Sequence, residues 1–358
     1  MNILVIRLRL IGDVVFTTPA LRALRRAFPG ARLTYLVERE AAPVVRGNPH
    51  LDEVIVVPRT RGIRRLIDDV RLAQRLRTAK FDVVIDMHGG PRSAWLAWAT
   101  GAPERIGYGM PGRHWMYTRG VSRPRELRPR HSVANQWDLL AAVPGWPGDE
   151  PDPRRDPVEM PLEAAAVATI DARLRVAGVD SADEIVVVHV SAGNPFRRWP
   201  EASFVRLIAE LASARPGCRL ILTSGPSDHA AADRIARAAR AELGAAAAAR
   251  VLEFGDFDLA ELRALVGRST LFVGGDSGPL HIAATTTTPI VALFGPTLPE
   301  RSLPWRSPAI PTETVAVERL ACRPCEQRVC VHGDYRCLTT LAPAQVIAAA
   351  ERAAGAMR

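Results

Sequence analysis

At 358 residues the chain is long enough for two domains of ordinary size, and its 47% hydrophobic and 24% charged residues exclude a disordered or fibrous protein. The formal net charge of +9 fits an anionic partner such as a nucleotide or a phosphorylated lipid; Lys80 is the only lysine, so an arginine-rich coding bias is the competing source of that charge. No apolar run approaches the roughly 20 residues that span a bilayer, and the stretch from Met1 to Ile11 is too short and too arginine-rich for a secretory leader, so the expected location is cytoplasmic with any membrane contact peripheral.

The first half alternates strand and helix signals. Ile3 to Arg7 reads as a buried strand, and Thr17, Thr18 and Pro19 open a helix that stops near Phe28, before Pro29 and Gly30. Further strands are expected at Arg32 to Val37, Glu53 to Val57 and Asp82 to Asp86, with a helix from Ile63 to Thr78. Strands separated by helices of this length imply a parallel sheet covered on both faces. From Pro144 to Pro161 prolines, glycines and acidic residues replace the apolar period, as in an interdomain linker. A second α/β series follows, with strands at Glu184 to Val190, Arg219 to Thr223, Val251 to Phe254, Leu271 to Val273 and Ile290 to Phe294. Its helices are expected at Ala202 to Ser213, Ala230 to Leu243, Leu259 to Val266 and Pro343 to Ala354. The expected fold is therefore α/β, two doubly wound Rossmann-like domains facing a cleft, with ligands beyond the carboxyl ends of the strands. The first domain covers 1–150, a linker 151–165, the second domain 166–340, and a final helix 341–358.

Three short motifs do not hold. Gly107-Tyr108-Gly109-Met110-Pro111-Gly112 matches a dinucleotide fingerprint, but Pro111 and Gly112 spoil the helix that must follow. Gly275-Asp276-Ser277-Gly278-Pro279 is similar to a serine-protease segment that belongs to a β-barrel, not to an alternating chain. His88-Gly89-Gly90 is similar to an esterase oxyanion loop, yet no G-x-S-x-G elbow accompanies it.

Three others carry chemistry. Gly12-Asp13 follows the opening strand and places a carboxylate at its carboxyl end; the alternative is that Asp13 only caps the next helix. Ser191-Ala192-Gly193-Asn194 follows a fully apolar strand, where small residues let backbone N–H groups approach a phosphate. Arg197 and Arg198 come next, and an arginine there offers a forked contact to a diphosphate. Asp276, Ser277, Gly278 and His281 again join a strand to a helix, a setting that suits an anion.

Taken together these residues resemble the ADP-heptose:lipopolysaccharide heptosyltransferase family, glycosyltransferase family 9. The resemblance runs through Ile11-Gly12-Asp13 with Thr18-Pro19-Ala20-Leu21, through Asp86-Met87-His88-Gly89 with Arg92-Ser93, and through Arg105-Ile106-Gly107 and Arg197-Arg198-Trp199-Pro200. It is densest from Gly275 through Ala284, and continues in Phe294-Gly295-Pro296-Thr297. It implies a GT-B fold with the acceptor on the N-terminal domain, the nucleotide sugar on the C-terminal domain and a final helix free to pack back on the first. It implies that Asp13 is the catalytic acid residue and that Arg197 stands where the family has a diphosphate-binding lysine. The implied donor set is Ser191, Ala192, Gly193, Arg197, Ser227, Asp228, Phe257, Asp276, Ser277, Gly278 and His281; Arg9, Gly12, His88 and Arg92 are the acceptor set. The implied reaction is inverting transfer of a heptose from ADP-heptose to a lipopolysaccharide core acceptor, lipid A-Kdo or heptosyl core, with no cofactor required for catalysis and no nucleic acid as partner. A nucleotide-sugar 2-epimerase of the same architecture is the alternative enzyme. A basic nucleic-acid-binding protein is the non-enzymatic one, and no helix-turn-helix, RNP or zinc-finger signature supports it.

Cys322, Cys325, Cys330 and Cys337 crowd the C-terminal region, with His332 among them and Cys218 far away. Their spacing fits a closed structural zinc or iron site; a disulfide pair or free thiols are the alternatives.

Overall fold

The computed structural model describes residues 1–358 apart from 58, 59, 61, 123–129, 193, 226, 326–328, 357 and 358, and excluding the side chain of residue 195. The chain divides into two compact units, Met1–Pro161 and Leu162–Arg358. No described helix is long and apolar enough to cross a membrane.

The first unit holds strands β1 (Asn2–Ile6), β2 (Arg32–Glu38), β3 (Glu53–Val57), β4 (Val83–Asp86), β5 (Glu104–Tyr108) and β6 (Arg119–Val121). The second holds β7 (Glu184–His189), β8 (Cys218–Thr223), β9 (Val251–Glu253), β10 (Leu271–Gly275), β11 (Ile290–Phe294) and β12 (Thr312–Ala316). The sheets run β3-β2-β1-β4-β5-β6 and β12-β11-β10-β7-β8-β9, and every paired neighbour is parallel. The strand order of each sheet reverses once, between β1 and β4 and between β7 and β10, which leaves a crevice at the carboxyl ends of those pairs. Central strands are apolar throughout because helices cover both faces: Ile3 to Ile6 and Val186 to Val188 are fully buried.

Three strands lie outside the sequence reading. β5 and β6 carry arginines and glycines, and β12 is an edge strand of mostly polar residues in which only Val315 is buried, so none shows an apolar run. In β5, Gly107 is required by packing: a Cβ there would sit 2.3 Å from the Tyr117 ring.

The expected linker over 151–165 belongs largely to the first unit, which ends at Pro161. Its acidic residues are ion partners rather than spacer. Arg26, on the helix Thr18–Ala27, meets Asp149 at 2.7 Å and buried Asp156 at 2.6 Å, and Arg22 meets Glu159. Val158 and Met160 are buried beside them. In the final helix, Pro343–Gly355, Val346, Ala349, Ala350 and Ala353 are buried in one cluster with Val186, Val291 and Leu293 of its own unit. Alanines at helical spacing let it lie close to β11 and β12, and Trp199 Nε1 donates to Leu341 O at 2.9 Å where it begins.

Candidate functional site

In the first unit the residues gather at the carboxyl ends of β1 and β4. The short helix Ile11–Val15 starts after Leu10, which holds φ 65° and is exposed. Leu10, not Asp13, occupies the N-cap, and Asp13 is the third residue of the helix, so helix capping is not its role. Its carboxylate forms an ion pair with Arg7, which immediately follows β1. Arg7 also donates through Nη1 to Met87 O at 2.6 Å, joining Asp13 to the loop after β4. That loop is built on Asp86, whose Oδ1 accepts from the backbone N–H groups of His88 (2.9 Å) and Gly89 (3.0 Å). Its Oδ2 accepts from Tyr117 Oη at 2.6 Å and Ser93 Oγ at 2.8 Å. Burial raises the Asp86 carboxyl above its ordinary range against the opposing pull of these four donors. Asp86 therefore shapes the loop from inside and presents no carboxylate to solvent.

Of the expected acceptor residues, Arg9 is exposed, and Gly12 and His88 are half-buried near Asp13 and Asp86 in the chain. Arg92 differs: Asp69 at 2.5 Å and Glu38 at 3.3 Å neutralise its guanidinium.

In the second unit the residues gather at the ends of β7 and β10. Buried His189 closes β7, with Nδ1 3.0 Å from Thr223 Oγ1 and Nε2 3.2 Å from Ser191 Oγ. Burial alone lowers this histidine to a pKa of about 4. Ser191 Oγ accepts from Gly225 N at 2.8 Å, so the loops after β7 and β8 are tied together. Gly193 lies outside the described residues.

Asp276 follows β10 and is buried. Its Oδ2 accepts from Thr297 Oγ1 at 2.6 Å and from Arg197 Nη1 at 3.4 Å; its Oδ1 accepts from Ser302 Oγ at 3.1 Å and lies 3.6 Å from His281 Nε2. Burial pulls the Asp276 carboxyl upward, but His281, Thr297 and Arg197 outweigh it and hold the group below its ordinary value. Arg197 Nε and Ser277 Oγ are buried beside this carboxylate without a hydrogen-bond partner among the described residues. Buried polar atoms are rarely left this way, and a bound ligand is one group that satisfies them.

Four expected donor residues sit apart from this cluster. Buried Asp228 receives Arg198 Nη2 at 2.7 Å, while Ser227 beside it is exposed. Phe257 stacks with Phe254 at 6.2 Å, with the Arg173 guanidinium 4.3 Å above its ring. Ala192 is buried, and its carbonyl accepts from Arg198 Nε at 3.2 Å. Sequence reasoning missed Arg7, Tyr117, Thr297 and Ser302. Thr297 closes the segment Phe294-Gly295-Pro296-Thr297, but nothing in the sequence shows that its hydroxyl meets Asp276.

Cys322, Cys325, Cys330 and Cys337 line one cavity of about 450 Å³. Among the described residues no group of three or more His, Cys, Asp or Glu side chains is placed to hold a metal ion. Backbone donors from Tyr335, His332 and Gly333 outweigh burial and lower the Cys330 thiol; burial, with Cys322 and Cys330 nearby, raises Cys337. The segment braces the Asp276 cluster. Cys325 N donates to Pro296 O at 2.9 Å, and Arg323 Nη2 donates to Thr297 O at 2.7 Å.

Residues 70–336 match the model of glycosyltransferase family 9 (heptosyltransferase). The chain is 26% identical over 295 residues to lipopolysaccharide heptosyltransferase 3 of Escherichia coli, covering 81% of this chain and 82% of the relative. A family 9 glycosyl transferase from Veillonella parvula superposes with a TM-score of 0.81 at 24% identity, covering 99% of this chain and 97% of that one. An E. coli heptosyltransferase solved with ADP-2-deoxy-2-fluoro heptose superposes with a TM-score of 0.69 at 20% identity, covering 97% and 99%. These likenesses match the two parallel six-stranded sheets and show the GT-B fold.

Proposed function

The chain belongs to glycosyltransferase family 9, the heptosyltransferase family, and from that premise we propose that it moves a heptose from ADP-heptose to a hydroxyl of a lipopolysaccharide core acceptor with inversion. The observation that carries this reading is the cluster at the end of β10, where a buried carboxylate orients Arg197 and Thr297 while Arg197 Nε and Ser277 Oγ find no partner among the described residues. Such a group suits a nucleoside diphosphate sugar, whose diphosphate takes the arginine and whose sugar hydroxyls take the acid. The E. coli neighbour solved with an ADP-heptose analogue supports the choice of donor.

In this reading the first unit supplies the base and the second holds the donor. The Asp13 carboxylate takes the proton of the acceptor hydroxyl, that oxygen attacks the anomeric carbon, and the bond from that carbon to the diphosphate breaks. ADP leaves carrying the electron pair, and Arg197 offsets the developing negative charge. Arg7 keeps the Asp13 carboxylate in place through its ion pair and its bond to Met87 O. The acceptor is a glycolipid at the inner face of the inner membrane, which the protein meets from the cytoplasm.

The test is incubation with ADP-heptose and a heptose-free lipopolysaccharide acceptor, read by mass spectrometry as the gain of one heptose. Asp13→Asn is expected to lose about 10²–10⁴-fold in turnover while ADP affinity stays unchanged. Near-normal turnover in that variant removes Asp13 as the base; no transfer by the wild type removes the proposed donor and acceptor.

A further inference from the structure

The helix Gly62–Thr78 carries two apolar faces where a helix on a sheet needs one. Leu72, Ala73 and Leu76 are buried and face the core of the first unit. Ile63, Leu66, Ile67 and Val70 recur at i, i+3, i+4 and i+7, the spacing of a second stripe, yet they are 46–77% exposed. A contiguous exposed apolar stripe marks an interaction surface. At 100° per residue Arg64, Arg71 and Arg75 fall along one edge of that stripe. Its aspartates are already engaged, Asp69 by Arg92 at 2.5 Å and Asp68 by Arg71 at 3.8 Å. Against Asp68 and Asp69 the helix sets Arg64, Arg65, Arg71, Arg75 and Arg77, and with Arg75 held by Glu53 at 2.8 Å two positive charges remain. The neighbouring helix Pro91–Ala99, packed against this one, brings Trp98, which is 44% exposed. Trp98 makes an edge-to-face pair with Trp115, 55% exposed, at 5.9 Å.

We infer that this face of the first unit, the Ile63-Leu66-Ile67-Val70 stripe with its arginine edge, docks on an anionic phospholipid surface. Aliphatic side chains flanked by arginines match the acyl–headgroup boundary, where the apolar part sinks a few ångströms and the guanidinium groups meet phosphates. Charge selects this occupant over a second copy of the chain, because two such faces would bring like arginine rows together. The inference rests on the reading that the acceptor is a membrane glycolipid, and it names the surface that would bring the enzyme to it.

The experiment is co-sedimentation of the full chain with vesicles of phosphatidylcholine alone or mixed with phosphatidylglycerol, alongside transfer to a deacylated, water-soluble acceptor. The wild type is expected to pellet with the anionic vesicles and to be released by salt. A Leu66→Ser/Ile67→Ser/Val70→Ser variant is expected to bind at least roughly tenfold more weakly. Arg64→Ser and Arg71→Ser each weaken binding about fivefold. Circular dichroism and transfer to the soluble acceptor stay at wild-type levels, since none of these side chains belongs to the core or to the Asp13 and Asp276 clusters. The inference is overturned if the wild type stays in the supernatant, if the triple variant pellets equally, or if the stripe instead supports a dimer that the triple variant abolishes. Vesicle binding without transfer to any acceptor would sustain the docking face and sink the proposed reaction.

Discussion

The most quantitative expectation concerns His189 and the pH dependence of the second unit's stability. The imidazole is buried between Thr223 and Ser191, both within 3.2 Å, and burial lowers its pKa from 6.5 to about 4. Above pH 6.5 the group is neutral whether the chain is folded or not, and it contributes nothing to the pH dependence. Between pH 6.5 and about 4 the unfolded chain takes up a proton that the native unit refuses, so stability falls as the solution is acidified and levels off below about 4. That gap corresponds to about 3 kcal/mol across the window, at 1.36 kcal/mol for each tenfold change in proton activity. The perturbation is His189→Gln, which cannot titrate. The assay is native-state hydrogen exchange of the β7 and β8 amides, corrected for intrinsic exchange and followed from pH 7 to pH 4 in both proteins. The wild type is expected to lose about 3 kcal/mol more protection than the variant over that range. Parallel pH profiles would refute the reasoning, because they would mean that His189 accepts its proton in the native state as readily as in the unfolded chain.

Two further expectations concern the second unit. Arg197→Ala should weaken nucleoside diphosphate binding by about tenfold or more and weaken the monophosphate much less, as calorimetry would show, since a guanidinium–phosphate contact contributes roughly 1.5–3 kcal/mol; equal losses for both ligands would move Arg197 away from the terminal phosphate. Among the thiols, Cys330 should react first with a maleimide near neutral pH, because its backbone donors favour the thiolate, while Cys218, buried and raised to about 12, should react only on unfolding. Release of about one zinc or iron per chain by a chelator, with all four C-terminal thiols shielded until then, would show that the cysteine segment closes into the site its spacing suggests.

Much of this protein is written locally. Strands such as Glu184–His189 and Leu271–Gly275 are built on short apolar runs, Ile185 to Val188 and Leu271 to Val273, because helices cover them on both faces, and short runs of small and polar residues mark their carboxyl ends. The placement of Asp13, Ser191 and Asp276 after β1, β7 and β10 therefore follows from the chain itself. Strands β5, β6 and β12 are not legible in this way, since edge positions and a ring packed on Gly107 remove the apolar signal. Nor does the sequence decide which charges pair. Arg92, read as an acceptor ligand, is neutralised by Asp69 and Glu38; Asp228 is held by Arg198; and the supposed linker supplies Asp156 and Glu159 to arginines more than a hundred positions earlier. Local pattern settles which residues reach the end of a strand, because burial acts on each segment by its own periodicity. The partners they meet there depend on strand order and on the packing of helices distant in the chain. Only the tertiary structure could turn Arg7 onto Asp13 and Thr297 onto Asp276.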